Sequence, residues 1–433
     1  MKNYEELAGA SGRRIFYRAE RYRARDLFKR AAPDLSLDHV ICRLHDVSMN
    51  GLGAYAPRGS NDLRGVGERL AIRIGVRGAT LHEGMGEISR LEPTPFGTKV
   101  GVRLVDRCLN ISQLVARYDE AFIRAEIDDM MAGCEERILP RWRALWHRGN
   151  QLVVPIMEDA ASLRATKRLT ELLVTPELVG GPIWRRSYEK PLGYPGDFQV
   201  MEMIYAQRRE GESLADQLMH RIGTATAECV TTRMIMIRRL IAETMLERAP
   251  AHVHVTSLGS GTAREIVDYL QLRNLPAPIK FNLIDQDHAA LSRVYEQTYG
   301  DVVRLKGGAQ VSCLHASFSQ FLKARELFGV LPPQDLIYSL GLIDYLSPPR
   351  ARALIEALYA HLVPGGTLVI GNLNDSPTST CWPMEFVCDW SANYRGTREM
   401  VDLAANLPDG TITTTIDPTE CVCFLTVRKP AVG

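Results

Sequence analysis

The run VHVTSL at Val253–Leu258 breaks into Gly259-Ser260-Gly261 and then into a helical pattern over Ala263–Leu272. A strand feeding a helix through a glycine turn is the opening unit of a layered α/β sheet. The alternation continues downstream. Phe281–Ile284, Leu336–Ser339 and Thr367–Gly371 read as strands, His288–Tyr299 and Pro349–Leu362 as helices. Thr411–Ile416 and Glu420–Val427 close the pattern as a hairpin. Residues 250–433 are therefore expected to form a doubly wound, mainly parallel sheet.

The chain ahead of that region has two other regimes. Over residues 12–110, short apolar runs such as His39–Leu44, Leu70–Val76 and Lys99–Val105 are separated by Gly, Pro, Asn and Asp. That pattern reads as an all-β barrel or sandwich. Over residues 114–249 the apolar period becomes helical, and Glu212–Ile241 carries apolar residues at i, i+3 and i+4 spacing. Its middle, VGGPIWRRSYEKPLGYPGDFQVM, is too rich in Gly and Pro for a helix. The expected fold class is thus multidomain: an all-β barrel, a helical middle region serving as linker or substrate lid, and an α/β Rossmann-like domain.

Composition narrows the function. A chain of 433 residues is too long for one ordinary core. Its 52 basic and 51 acidic residues give a net charge of +1, so no global field recruits nucleic acid or an anionic membrane. No basic, aromatic-interleaved stripe points to nucleic acid either. No stretch has the apolar length of a membrane helix, and MKNYEELAGASGRR lacks the apolar core of a signal peptide. The nine cysteines form no CxxC pair, which suggests neither zinc nor a disulfide framework and favours a reducing cytoplasm.

The glycine turn also carries chemistry. Gly259 and Gly261 let backbone pass close to a ligand, and FNLI ends in Asp285, where a carboxylate accepts both hydroxyls of a ribose. A third glycine for a pyrophosphate is missing, with Ala263 or Arg264 in its place, which argues against a dinucleotide. The bland alternatives are a tight strand–helix turn for the glycines and a helix N-cap for Asp285.

Taken in order, LGSGTAREI, LIDQD, DLIYSLGLIDYLS and LVPGGTLVIGNL resemble the successive motifs of class I S-adenosylmethionine-dependent methyltransferases. The resemblance implies that Gly259, Ser260 and Gly261 hold the amino-acid part of the cofactor and Asp285 the ribose. It places Ser317 beside the adenine and Leu340 in the cofactor site, and it implies a reversed strand at the end of the sheet. One departure is Ser257, where many members have an acid two positions before the first glycine. YSLGLIDYLSP, KPLGYPGDFQVM and MEFVCDWSANYR further resemble bacterial proteins of 3-hydroxypalmitic acid methyl ester biosynthesis, over about Arg168 to Lys429. That implies an oxygen acceptor on a small acid or fatty-acid-like molecule.

Methyl transfer needs an in-line geometry and a dry site, and a base only where the acceptor is not already a carboxylate. Asp344 and Tyr345 after the fourth strand, with Tyr194 and Asp197 from the Gly/Pro loop, are the candidate catalytic residues. Asn372, Asn374, Glu385, Asp389, Trp390 and Tyr394 lie at the same expected end of the sheet. Each has a plain alternative: Asp344 and Tyr345 as a helix start, Tyr194 and Asp197 as turn formers, Trp390 as core. Cys421, Cys423, His252 and His254 read as structural, with no metal site.

The arginine-rich YRAERYRARDLF at Tyr17–Phe28 supplies Arg21 and Arg25 in RxxxR spacing, and HDVSMNGLGAY then supplies Asp46, Ser48 and Gly51. These two motifs, with GTKVGVRLVD, resemble the PilZ domain, a small β-barrel that binds cyclic di-GMP. Guanidinium forks suit phosphates and guanine O6 and N7. Arg14 and Arg18 form a second, less favoured RxxxR, and the AAPD interruption within Asp26–Asp38 leaves open a barrel that no longer binds. The whole chain then reads as a cyclic di-GMP-responsive methyltransferase. The alternative is an inactive effector that presents its methyltransferase-like domain to a protein. A homodimer is one option for its assembly.

Overall fold

The computed structural model describes residues 20–431 except 61, 96, 273, 318, 319, 321, 322, 324–328 and 330. Arg14 and Arg18 lie outside the described residues. The chain divides into two compact units, Met1–Gly133 and Cys134–Gly433.

In the first unit the strands are β1 (Tyr22–Arg23), β2 (Asp34–Leu37), β3 (Val40–Ser48), β4 (Gly51–Ala56), β5 (Arg69–Val76), β6 (Ala79–Thr94) and β7 (Gly97–Leu104). They pair antiparallel in the order β1–β3–β2–β5–β6–β7–β4, and the β3–β4 pairing closes a six-stranded barrel. Strict alternation builds it. In β5, Leu70, Ile72, Ile74 and Val76 are buried while Arg69, Ala71 and Arg73 face solvent. Closure removes the free strand edges. The Asp26–Asp38 segment holds the tail of a one-turn helix (Ala24–Leu27) and then β2, which starts just after Pro33. The helix Ile111–Val153 begins in this unit, where Tyr118 and Phe122 pack beside Phe28. The Tyr118 hydroxyl accepts from the Ala31 amide and donates to the Ala31 carbonyl, both at 2.7 Å.

In the second unit the strands are β8 (Val253–Leu258), β9 (Ile279–Asp285), β10 (Ala309–His315), β11 (Gln334–Ser339), β12 (Leu362–Leu373), β13 (Thr411–Ile416) and β14 (Val422–Arg428). Their order is β10–β9–β8–β11–β12–β14–β13. The pairings from β10 to β12 are parallel, and β14 runs antiparallel to both its neighbours. The reversed strand is therefore present, inserted second from the edge. β11 is buried at every residue, including Gln334, Asp335 and Ser339 around its apolar Leu336, Ile337 and Tyr338, as befits a central strand covered on both faces.

Two helical expectations change. Glu212–Ile241 is two helices, Leu214–Thr226 and Glu228–Arg248, because Ala227 takes ψ +19° and ends the first ladder. The Gly/Pro-rich stretch contains the helix Pro182–Glu189 and the start of another, Phe198–Ala206. Pro182 sits in the first turn, where its missing N–H costs nothing, and Lys190 at φ +51° ends that helix. Gly193 and Gly196 fall in the loop between the two.

Candidate active site

The strand order of the second unit reverses between β8 and β11, and a doubly wound sheet opens a crevice at that point beyond its carboxyl ends. The turn after β8 lies there. Gly259 and Gly261 take φ +67° and +51°, the left-handed region that glycine enters without strain, and the Gly259 amide donates to Ile284 O at 2.8 Å. Ala263 follows at φ +41° and starts the helix Arg264–Leu270. The Ser260 hydroxyl is shielded from solvent and has no hydrogen-bond partner among the described residues. Asp285, at the end of β9, accepts from the Gly261 amide at 2.7 Å and the Asp287 amide at 2.9 Å, one per oxygen. Burial pushes its carboxyl up despite these bonds. Each oxygen retains a further acceptor site.

A cavity of about 460 Å³ opens over this turn. Gly259, Ser260, Gly261, Asp285, Leu340, Asp344, Tyr345 and Tyr194 all line it, so the fold gathers most of the residues singled out in the sequence. Its remaining wall is largely apolar and comes from helices upstream of the sheet, including Trp184, Phe198, Met201, Ile204 and Val230. Asp344 is buried; its Oδ1 accepts from the Leu373 amide at 2.8 Å, and burial pushes its carboxyl up to about 6. Tyr345 accepts at its hydroxyl from the Trp390 indole at 2.9 Å. Trp390 is half-buried, packing against the hydrophobic core on one side and lining the cavity on the other. Buried Arg395 donates to the carbonyls of Ile343 and Leu346 and to Asn372 Oδ1, and so fixes the turn that carries Asp344 and Tyr345.

The Gly/Pro loop roofs this space. The Tyr194 hydroxyl donates to Asp287 Oδ2 at 3.0 Å, and burial and the neighbouring Asp287 hold its pKa high. Asp197 lies outside the cavity lining. Its carboxylate caps the helix Phe198–Ala206 and takes a two-point ion pair from Arg186, at 2.8 and 2.6 Å, which places it as an anchor of the loop. Ser317 is also outside the lining. It is exposed after β10, with its amide and hydroxyl bonded to Gln320 Oε1, while the preceding Ala316 amide donates to Asp285 O at 3.0 Å. Asn372, Asn374, Glu385, Asp389 and Tyr394 stand behind the wall. Asn372 bonds to backbone and to Arg395, and Asn374 to backbone; Glu385 pairs with Lys167, and Asp389 with Lys190. Cys421 and Cys423 are buried, and His252 stacks on His254 away from the cavity. Among the described residues no cluster of His, Cys, Asp and Glu could hold a metal.

Two charged wall residues went unnoticed in the sequence. Arg233, on the helix Glu228–Arg248, donates to Leu340 O at 2.8 Å, and Glu265 accepts from the Tyr338 hydroxyl at 2.6 Å. Arg233 follows buried Cys229 and Val230 and precedes Met234 and Ile237. A cation on an apolar stripe is the sign that could have revealed it.

The first unit joins its two motifs. β1 pairs with the end of β3, Arg23 opposite Asp46, and the Arg21 guanidinium meets Asp46 Oδ1 at 2.8 Å. His45 Nδ1 lies 2.7 Å from the other Asp46 oxygen. Arg25 is exposed beside Asp26 at 3.5 Å. Ser48 is buried in the β3–β4 turn, donating to Gly51 O and Asn50 Oδ1, each at 3.1 Å. A Cβ on Gly51 would lie 2.5 Å from Val102 O, so the close approach of β7 demands glycine there.

No protein-family model matches the chain, and no curated protein matches it. Solved structures similar to it include a "possible exported protein" from Bordetella parapertussis, at 17% identity and TM-score 0.43 over 69% of this chain and 99% of that one. Another is the S-adenosylmethionine-dependent methyltransferase SibL, at 12% identity and TM-score 0.38 over 78% and 81% of the two chains. A third is magnesium protoporphyrin IX methyltransferase from Synechocystis PCC 6803 with bound S-adenosylmethionine, at 10% identity and TM-score 0.35 over 53% and 90%.

Proposed function

We propose that Cys134–Gly433 is an S-adenosylmethionine-dependent methyltransferase domain acting on an oxygen of an acceptor with an apolar body, such as a small or fatty-acid-like acid. The observation that carries this reading is one cavity lined at once by the glycine turn, Asp285, Asp344 and an apolar helical wall. The residues fit the cofactor. The unpartnered Ser260 hydroxyl and the positive-φ turn offer a cradle, and Asp285 keeps acceptor capacity for ribose hydroxyls. When bound, S-adenosylmethionine supplies an electrophilic methyl group on a sulfonium.

The protein's own part is positioning and proton handling. Trp184, Phe198 and the Tyr194 roof exclude water, which strengthens every charge interaction inside. Asp344, with its carboxyl near 6, suits removal of a proton from an acceptor hydroxyl at neutral pH. A carboxylate acceptor needs no base, and Asp344 and Tyr345 then orient it. Turnover of S-adenosylmethionine against a panel of short acids, fatty acids and hydroxy fatty acids tests the reading. One panel member should be methylated, and Asp344→Asn should cut turnover of a hydroxyl acceptor by about 10²-fold or more. No turnover across the panel, with cyclic di-GMP absent or present, would leave the inactive-effector reading in its place.

For the first unit, the proposed ligand is cyclic di-GMP, gripped by Arg21 and Arg25 with Asp46 on a guanine edge. Juxtaposition of the two motifs by β1–β3 pairing supports it, and the Arg21–Asp46 contact pre-orders one guanidinium. Ser48 and Gly51 shape the turn. Labelled nucleotide should bind the purified chain, with affinity lost in Arg21→Ala and Arg25→Ala; equal binding by both variants contradicts the clamp.

A further inference from the structure

The cavity wall holds a cation and an anion that do not meet. Arg233 is half-buried, and beyond its bond to Leu340 O its other terminal nitrogen hydrogen-bonds, among the described residues, only to Met201 Sδ at 4.0 Å. No carboxylate lies within ion-pair distance of it among the described residues. A guanidinium in an apolar wall without a counter-ion is costly unless a ligand supplies one. Glu265 is only 4% exposed, and no cation pairs with its carboxylate among the described residues. The Tyr338 hydroxyl that donates to Glu265 also contacts Ser257, the position where the class I resemblance leads one to expect an acid.

We infer that Arg233 and Glu265 form a receptor for a zwitterionic α-amino acid end, the guanidinium taking its α-carboxylate and Glu265 its α-ammonium, and so hold the amino-acid half of S-adenosylmethionine. The inference rests on the proposed methyltransferase reading. Charge complementarity supports it. The wall offers one cation, Arg233, against Glu265, Asp285 and Asp344. A ligand with one carboxylate, an ammonium and a sulfonium sets its one anion against the one cation and its two cations against the acidic side of that wall. Bound across the gap, it gives each buried charge a partner without bringing Arg233 onto Glu265. A charge-assisted fork to a carboxylate also accounts for arginine over lysine at this point.

The test compares S-adenosylhomocysteine with 5′-methylthioadenosine, which has the nucleoside and thioether but no amino acid. Equilibrium affinities are measured on the full chain, on Arg233→Gln and Arg233→Lys, and on the near-isosteric Glu265→Gln. Arg233→Gln and Glu265→Gln should each weaken S-adenosylhomocysteine by about 10-fold or more while methylthioadenosine affinity stays within about twofold. Arg233→Lys should recover part of the loss. Retained methylthioadenosine binding shows that a variant is folded. Equal weakening of both ligands, or no weakening of S-adenosylhomocysteine, overturns the inference while leaving the cofactor reading standing. Failure of the unaltered chain to take up S-adenosylhomocysteine overturns both.

Discussion

Asp344 is one of three carboxylates in the cavity wall, and burial has the clearest consequence for it. Its carboxyl is held up at about 6 against an ordinary 3.8, with the Leu373 amide, Arg233 and Arg395 pulling the other way. The native state therefore keeps this proton more tightly than the unfolded chain. Its contribution to stability is greatest below the unfolded value of 3.8 and is lost as pH rises through about 6. The full difference is about 3 kcal/mol. Unfolding free energies from urea titration should fall between pH 3 and 8 by about that much more for the wild type than for Asp344→Asn, whose amide oxygen still accepts from Leu373; parallel curves would show that Asp344 is not the group responsible. Residues of this kind differ in how legible they were. Gly259, Gly261 and Asp285 act through a local strand–turn–helix geometry, so spacing alone reveals them. Arg233 and Glu265 line the same cavity from different helices without pairing, and only tertiary packing brings them to one wall.

The loop from Lys190 to Asp197 separates what spacing shows of an element from what packing adds to its residues. Its Gly and Pro marked a break, yet helices fill the segment on both sides because Pro182 and Asp197 occupy first-turn and cap positions. Asp197 reads in the sequence as a catalytic candidate or a turn former; in the fold it is 1% exposed and pinned by Arg186. Removing it strands a guanidinium and uncaps a helix. Asp197→Ala should cost about 3–5 kcal/mol in denaturant unfolding, whereas Arg186→Met with Asp197→Leu should recover a large share. Equal loss in the single and double variants would deny the pair its role. Gly196 has φ +67°, and a Cβ there would lie 2.3 Å from the Trp390 ring. Gly196→Ala should therefore displace the roof and lower thermal stability by a margin of about 1–2 kcal/mol, with weaker S-adenosylhomocysteine binding as a second readout.

At the scale of the whole molecule, the sequence regimes translate into a closed barrel and a mixed sheet with its helical wall. The barrel was legible from alternation in strands such as β5. The sheet was legible from strand–helix alternation, with β14 recognisable only as half of a hairpin. What spacing does not carry is partnership. The helical middle shares a compact unit with the sheet because its apolar faces, Trp142, Trp184, Ile237 and Ile241 among them, join the same core as Val255 and Phe281. If cyclic di-GMP regulates the enzyme, linkage makes the effect reciprocal. Saturating nucleotide should then shift S-adenosylhomocysteine affinity by about 5–150-fold, and S-adenosylhomocysteine should shift nucleotide affinity by the same factor; independent affinities would reduce the barrel to a passenger. All of this depends on the cofactor site. Calorimetric titration of the purified chain with S-adenosylhomocysteine tests it most directly. One site per chain is expected, with a loss of about tenfold or more in Asp285→Ala, which forfeits charge-assisted bonds to the ribose. No uptake by a chain that still unfolds cooperatively, or unchanged affinity in Asp285→Ala, would contradict it.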